Sequence, residues 1–207
     1  AVPRMNLINN KSTDCPENID GIAVPENFNL GTMAGFYTYQ EMLDELDEMA
    51  SLYPELITVR SPISSFLTHE GRPIYVAVLS DNPGVDEGEP NVLYSAIHHA
   101  REPLSMTETI FYMWYLLENY ASNDEVKFLV DNTRMFFVPC INPDGYVYNE
   151  QNFPNGGGMH RKNRTITNNT TNIGTDINRN YELGWNEIGI GGTAGAPGSS
   201  TDPVNDV

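Results

Sequence analysis

The apolar positions change their period several times along the chain, and each change marks an element. Thr38-Tyr39-Gln40-Glu41 reads as a capping box, with a hydroxyl placed to accept from first-turn amides and a carboxylate placed to reach back. Met42, Leu46, Met49 and Tyr53 then recur at helical spacing until Pro54 ends the helix, and Asp44, Glu45, Asp47 and Glu48 form its solvated opposite face. Runs at 56–60, 74–79 and 92–97 are rich in β-branched and aromatic residues and separated by turn sequence, which predicts three strands. Residues 104–120 return to helical spacing through Met106, Ile110, Met113, Trp114 and Leu117, a strongly buried face, and 125–130 predict a shorter helix. Residues 135–141 are nearly all apolar, as in a strand buried on both faces, and Asn142-Pro143-Asp144-Gly145 is turn chemistry at its end. Strands mixed with helices give the α/β class.

The two ends lack such a period. Residues 1–35 are polar and broken by Pro3, Pro16, Pro25 and Gly31, so they are expected as an extended arm wrapped on the surface, with 36–207 as one domain. From Asn149 onward come Gly156-Gly157-Gly158, an Asn/Thr cluster at 167–172 and Gly/Ser/Pro-rich sequence after Gly189, long loops of the kind that serve a site. A net charge of −17, from 11 basic and 28 acidic residues, repels phosphate backbones and anionic headgroups, so neither nucleic acid nor a membrane surface is expected as partner. No apolar run approaches the ~18 residues that cross a bilayer, and Ala1-Val2-Pro3-Arg4 lacks the pattern of a leader. Cys15 and Cys140 fit either a disulfide or, for Cys140, an inert buried thiol.

The chemistry begins where the strand at 92–97 runs into His98-His99-Ala100-Arg101-Glu102-Pro103, because ligands of α/β sheets bind where strands end. An imidazole and a carboxylate three positions apart suit Zn²⁺, which in catalytic sites takes three protein ligands and keeps a position for water. His99 and Glu102 would be two of the three. Taken alone, such a pair is more often a hydrogen-bonded structural cluster. Strand alternation is expected to send His98 to the other side, into packing.

Three further motifs follow in order: Asn142-Pro143-Asp144-Gly145-Tyr146, the basic run Arg161-Lys162-Asn163-Arg164, and Asp176-Ile177-Asn178-Arg179-Asn180. Together with His99-Ala100-Arg101-Glu102 they resemble the zinc carboxypeptidases of the carboxypeptidase A and B type, over residues 37–186. The resemblance implies a mixed, twisted sheet with helices on both faces and a zinc-dependent exopeptidase acting on the C-termini of peptides and proteins. His99 and Glu102 would bind one Zn²⁺, and Asp176 would hold the other ring nitrogen of His99. Asn178 and Arg179 would grip the substrate's terminal carboxylate, since a guanidinium fork donates two parallel hydrogen bonds. Arg164 would polarise the scissile carbonyl and stabilise its oxyanion, and Arg101 would contact a peptide subsite. In isolation each of these arginines is a surface ion pair in an acidic protein, and Arg161 is expected to be only that. His69 and His160 are expected as ordinary loop histidines.

The family's third zinc ligand, a later histidine, and its general base, a glutamate, find no counterpart, for no histidine follows His160. The expectation is therefore the N-terminal portion of a catalytic domain, truncated before its C-terminal part, inactive alone, with a sheet edge and an apolar face left for the missing part to cover. High acidity, few cysteines and many Asn, Thr and Gly residues suit a secreted, bacterial-type enzyme whose leader has been removed. Two other readings stay open: a non-catalytic module that keeps the carboxylate clamp, and a related hydrolase of modified or cell-wall peptides, against which the intact Asn178-Arg179 pair argues.

Overall fold

The computed structural model describes residues 23–166 and 173–181. Helix α1 (Tyr39–Leu52) starts at the capping box: Glu41 N donates to Thr38 Oγ1 at 3.2 Å, and Thr38 N donates to Glu41 Oε2 at 2.8 Å. Met42, Leu46 and Met49 are buried along its stripe. Glu45 departs from the expected solvated face. It is 6% exposed and accepts from Trp114 Nε1 at 2.7 Å. Its position three after Met42 and four before Met49 puts it on the buried face, and spacing outweighs its charge because the indole gives the carboxylate a partner.

Strands β1 (Ser61–Pro62), β2 (Tyr75–Leu79), β3 (Asn91–Ser95) and β4 (Arg134–Val138) form one mixed sheet in the order β1-β2-β4-β3, with β3 and β4 parallel and the other pairs antiparallel. The strand expected at 56–60 is reduced to an isolated bridge from Ile57 to Leu79. Thr58 explains the loss: Val78 N donates to its hydroxyl at 3.0 Å, so a side chain takes a place that a ladder carbonyl would fill. No described strand lies beyond β3, and Leu93 there is 66% exposed.

Helix α2 (Leu104–Asn119) links β3 towards β4 and buries Met106, Ile110, Met113, Trp114 and Leu117. Helix α3 (Asp124–Asn132) runs past the expected 125–130 because Asn123 Oδ1 accepts from Glu125 N and Val126 N and sets an earlier start. After β4 the expected turn at 142–145 is the beginning of α4 (Pro143–Asn152), with Asn142 as its cap and Pro143 in its first turn. Asn-Pro serves both a turn and a helix start, and Gly145 N donating to Asn142 Oδ1 at 3.1 Å makes it a start here. Asn149 thus belongs to a helix, not to a loop. α1 packs on both α2 and α4, and α2 on α3.

Of the expected arm, residues 1–22 lie outside the described residues, as do the loop positions 167–172 and 182–207. In residues 23–35, Phe28 and Met33 are buried members of the same core as Leu46 and Trp114, and Asn27 N donates to Glu118 Oε1 at 2.8 Å on α2. Cys140 is a buried free thiol whose pKa burial pushes up; Cys15 lies outside the described residues. No described helix is long and apolar enough to cross a membrane.

Candidate active site

The chain leaves β3 with its pairing to the β4 side prolonged, Ala96 N donating to Val138 O at 3.1 Å and Ile141 N to Ala96 O at 3.0 Å. Ile97 then takes φ 54, a left-handed conformation that costs a β-branched residue about 1–3 kcal/mol. Its buried side chain and its amide, which donates to Ser105 Oγ at 3.1 Å, hold the kink in place. The kink, and not strand alternation, separates the two histidines. His98 is half-buried with Nε2 2.6 Å from the Tyr181 hydroxyl, and burial followed by the neighbouring His99 lowers its pKa. His99 is 7% exposed and takes part in a different set of contacts.

His99 Nδ1 lies 2.9 and 3.0 Å from the two oxygens of Glu102, and Nε2 lies 3.2 Å from Asp176 Oδ1. One imidazole is therefore faced by a carboxylate at each nitrogen. Asp176 Oδ2 accepts from Arg161 Nε at 2.8 Å, and Arg161 Nη1 stands 3.7 Å from Glu102 Oε1. Burial pushes the Asp176 carboxyl up, but the Arg161 hydrogen bond and charge, with His99 and Arg179, together hold it below the ordinary carboxylate value. Arg161, expected as a surface ion pair, binds the acid that holds His99, and so belongs to this cluster. Asp176 also caps the 3₁₀ turn Ile177–Arg179, accepting from Asn178 N at 3.2 Å, which sets Asn178 and Arg179 directly beside it.

Sequence reasoning missed what fixes the two loops against each other. Asn149, 4% exposed on α4, donates from Nδ2 to Ala100 O at 3.0 Å and His160 O at 2.8 Å, and accepts from His160 N at 3.0 Å. Ala100 N donates to Arg161 O at 2.9 Å, and Asn142 Nδ2 to His98 O at 3.2 Å. Gly145 lies beneath this junction, where a Cβ would run into the Lys162 carbonyl and Ala100. The available signal was the seven-residue spacing of Asn142 and Asn149, which places both on one face of a helix.

Arg164 is not in contact with the His99 cluster. Its Nε donates to Glu70 Oε1 at 3.3 Å and its guanidinium lies 4.0 Å from the centre of the Tyr148 ring. Arg101 is exposed, has no ion-pair partner among the described residues, and lines a largely apolar cavity of about 270 Å³ with Met33, Phe36 and Met159. Arg179 Nη1 donates to Asn178 O at 2.9 Å. His69 joins none of these groups, and His160 packs edge-on to Tyr148 with Nε2 3.0 Å from Asn163 O.

An imidazole nitrogen and a carboxylate oxygen are donor types that Zn²⁺ takes, and the pair His99 Nδ1 and Glu102 presents both on one side. Among the described residues no group of three or more His, Cys, Asp or Glu could hold a metal ion. The zinc carboxypeptidase family matches residues 42–206. A zinc carboxypeptidase of Saccharothrix mutabilis subsp. capreolus is 36% identical over 152 residues, covering 73% of this chain and 33% of that protein. Metallocarboxypeptidase A of Arthroderma otae is 29% identical over 172 residues, covering 83% of this chain and 37% of that protein. The crystal structure of carboxypeptidase A from Helicoverpa armigera shares the fold, with TM-score 0.63 and 23% identity over 89% of this chain and 40% of that one. The chain thus spans about a third of the length of the curated relatives it matches. The matched segment contains His99, Glu102, Arg164 and Asp176, and the chain belongs to the zinc carboxypeptidase family.

Proposed function

We propose that the protein carrying this chain is a zinc-dependent exopeptidase that hydrolyses the last peptide bond of peptides and proteins and releases one C-terminal amino acid. The observation that carries this reading is the buried His99 imidazole, faced by Glu102 at Nδ1 and by Asp176 at Nε2, with Asp176 also capping the turn that bears Asn178 and Arg179. His99 and Glu102 would supply two protein ligands to Zn²⁺, and zinc, when bound, provides Lewis acidity there. Asp176, ionised beside Arg161, fixes which ring nitrogen of His99 keeps its proton. Asn178 and Arg179 bind the terminal carboxylate, Arg101 contacts the peptide further from that end, and Arg164 donates to the scissile carbonyl oxygen as negative charge grows on it. An acidic, cysteine-poor composition supports an extracellular setting. Because two ligands hold zinc far less tightly than three, we expect the 207 residues alone to lack peptidase activity.

The test uses the full-length protein and matched peptides with free and amidated C-termini. Free-acid peptides should lose single residues from that end and amidated ones should resist; equal cleavage of both would end the exopeptidase reading. Zinc content should fall in His99→Ala, and binding of free-acid peptides without any hydrolysis would favour the non-catalytic module.

A further inference from the structure

The segment before β2 is tied to the basic run by a network that the reading above does not use. Asp144, 2% exposed at the start of α4, accepts from the Thr68 hydroxyl (2.8 Å), from Glu70 N (2.9 Å) and from Arg72 Nη1 (2.8 Å). Three bonds from one buried carboxylate fix the turn at 68–72, which Thr68 N closes by donating to Arg72 O at 2.9 Å. The Glu70 side chain stands between two guanidinium groups, accepting from Arg72 Nη1 at 2.7 Å and from Arg164 Nε at 3.3 Å. Tyr148, also on α4, supports the Arg164 guanidinium with its ring face at 4.0 Å. Among the described residues neither Nη of Arg164 has a hydrogen-bond partner.

We propose that Glu70 is a positioning residue for Arg164. It engages the inner Nε, Tyr148 fixes the plane of the guanidinium, and the two Nη groups remain as aimed donors for a developing oxyanion. The anchoring runs back through Glu70 N and Arg72 to Asp144, so the pose is set by α4, the same helix that holds the His99 loop through Asn149. A guanidinium tethered at Nε loses little orientational freedom when it meets charge, which is the condition for a strong electrostatic contribution. This inference rests on the reading of Arg164 as the oxyanion donor.

The experiment is a double-mutant cycle in the full-length holoprotein on a free-acid peptide. Glu70→Gln keeps shape and removes charge; kcat should fall on the order of 10-fold, as is usual for groups that orient a reacting side chain, with KM within about twofold. In an Arg164→Ala background the same substitution should bring no further loss, because its target is gone. Tyr148→Leu, which removes the second support without touching the Asp144 network, should behave likewise if Glu70→Gln fails to fold. An equal loss of kcat in both backgrounds means a merely structural role and overturns the proposal, as does an unchanged kcat in Glu70→Gln. If Arg164→Ala itself leaves kcat intact, the assignment of Arg164 falls and the inference with it, whereas loss in Arg164→Ala beside full activity in Glu70→Gln removes the inference alone.

Discussion

Asn149 shows how much of a site can hang on a residue with no chemistry of its own. Its amide satisfies two carbonyls and one amide from segments near positions 100 and 160. Asn149→Ala leaves these buried groups without partners, at about 1–3 kcal/mol for each one orphaned. We expect a loss of about 2–4 kcal/mol in urea denaturation with the slope unchanged; a loss below about 0.5 kcal/mol would show that water replaces the side chain at no cost. His99 and Glu102 were legible as donor types three positions apart at a strand end, and Asp176 only through the resemblance of the ordered motifs. Asn149 and Arg161 were not, since their partners are distant backbone carbonyls and an acid 15 positions away, and no local pattern encodes such contacts. Glu45 was misread for the opposite reason: its charge was weighed ahead of its place between Met42 and Met49.

At the scale of elements, the start of α1 was readable because a capping box is a local signal and its partners are three residues apart. Glu41 also accepts from Thr32 N at 3.2 Å, joining the helix to the tight turn at 31–36, where Met33 bridges to Phe36. Burial pushes the Glu41 carboxyl up, but hydrogen bonds from Thr38 and Thr32 outweigh burial and hold it below 4.5. A folded pKa lower than the unfolded one means stabilisation that is complete above about pH 4.5 and is lost as pH falls through the folded value. The stability difference between the protein and Glu41→Gln should therefore be widest above that pH and close in acid; a difference that grows on acidification would contradict the sign. Glu41→Ala should cost about 0.5–1 kcal/mol at neutral pH. The strand at 56–60 and the turn at 142–145 misled because a hydroxyl can replace a ladder carbonyl and because Asn-Pro opens a helix as readily as a turn.

Across the whole molecule, residues 77 positions apart meet because α4, which follows β4, fastens both the loop leaving the parallel strand β3 and the segment at 160–163, whose Asn163 N donates to Thr175 O beside Asp176. The order of the motifs gave the family, but the convergence itself required the fold. Asp176 is held by Arg161 and orients His99 through Nε2, and the loop that carries His99 and Glu102 is fastened to α4 by Asn142 and Asn149, so the fold itself sets the cluster's geometry. Zinc should accordingly strengthen the native state of the full-length protein without being needed to form it. A ligand that binds only the folded state adds RT ln(1 + [L]/Kd), about 2.7 kcal/mol at 100 times Kd. The thermal midpoint of the chelator-stripped protein should rise with added Zn²⁺ by an amount matching that law, and the stripped protein should still melt cooperatively. His99→Ala should abolish most of the zinc-dependent rise, while Arg164→Ala, outside the cluster, should leave it intact. A stripped protein with no cooperative transition would mean that the cluster forms only around metal. A zinc response unchanged in His99→Ala would place the ion elsewhere.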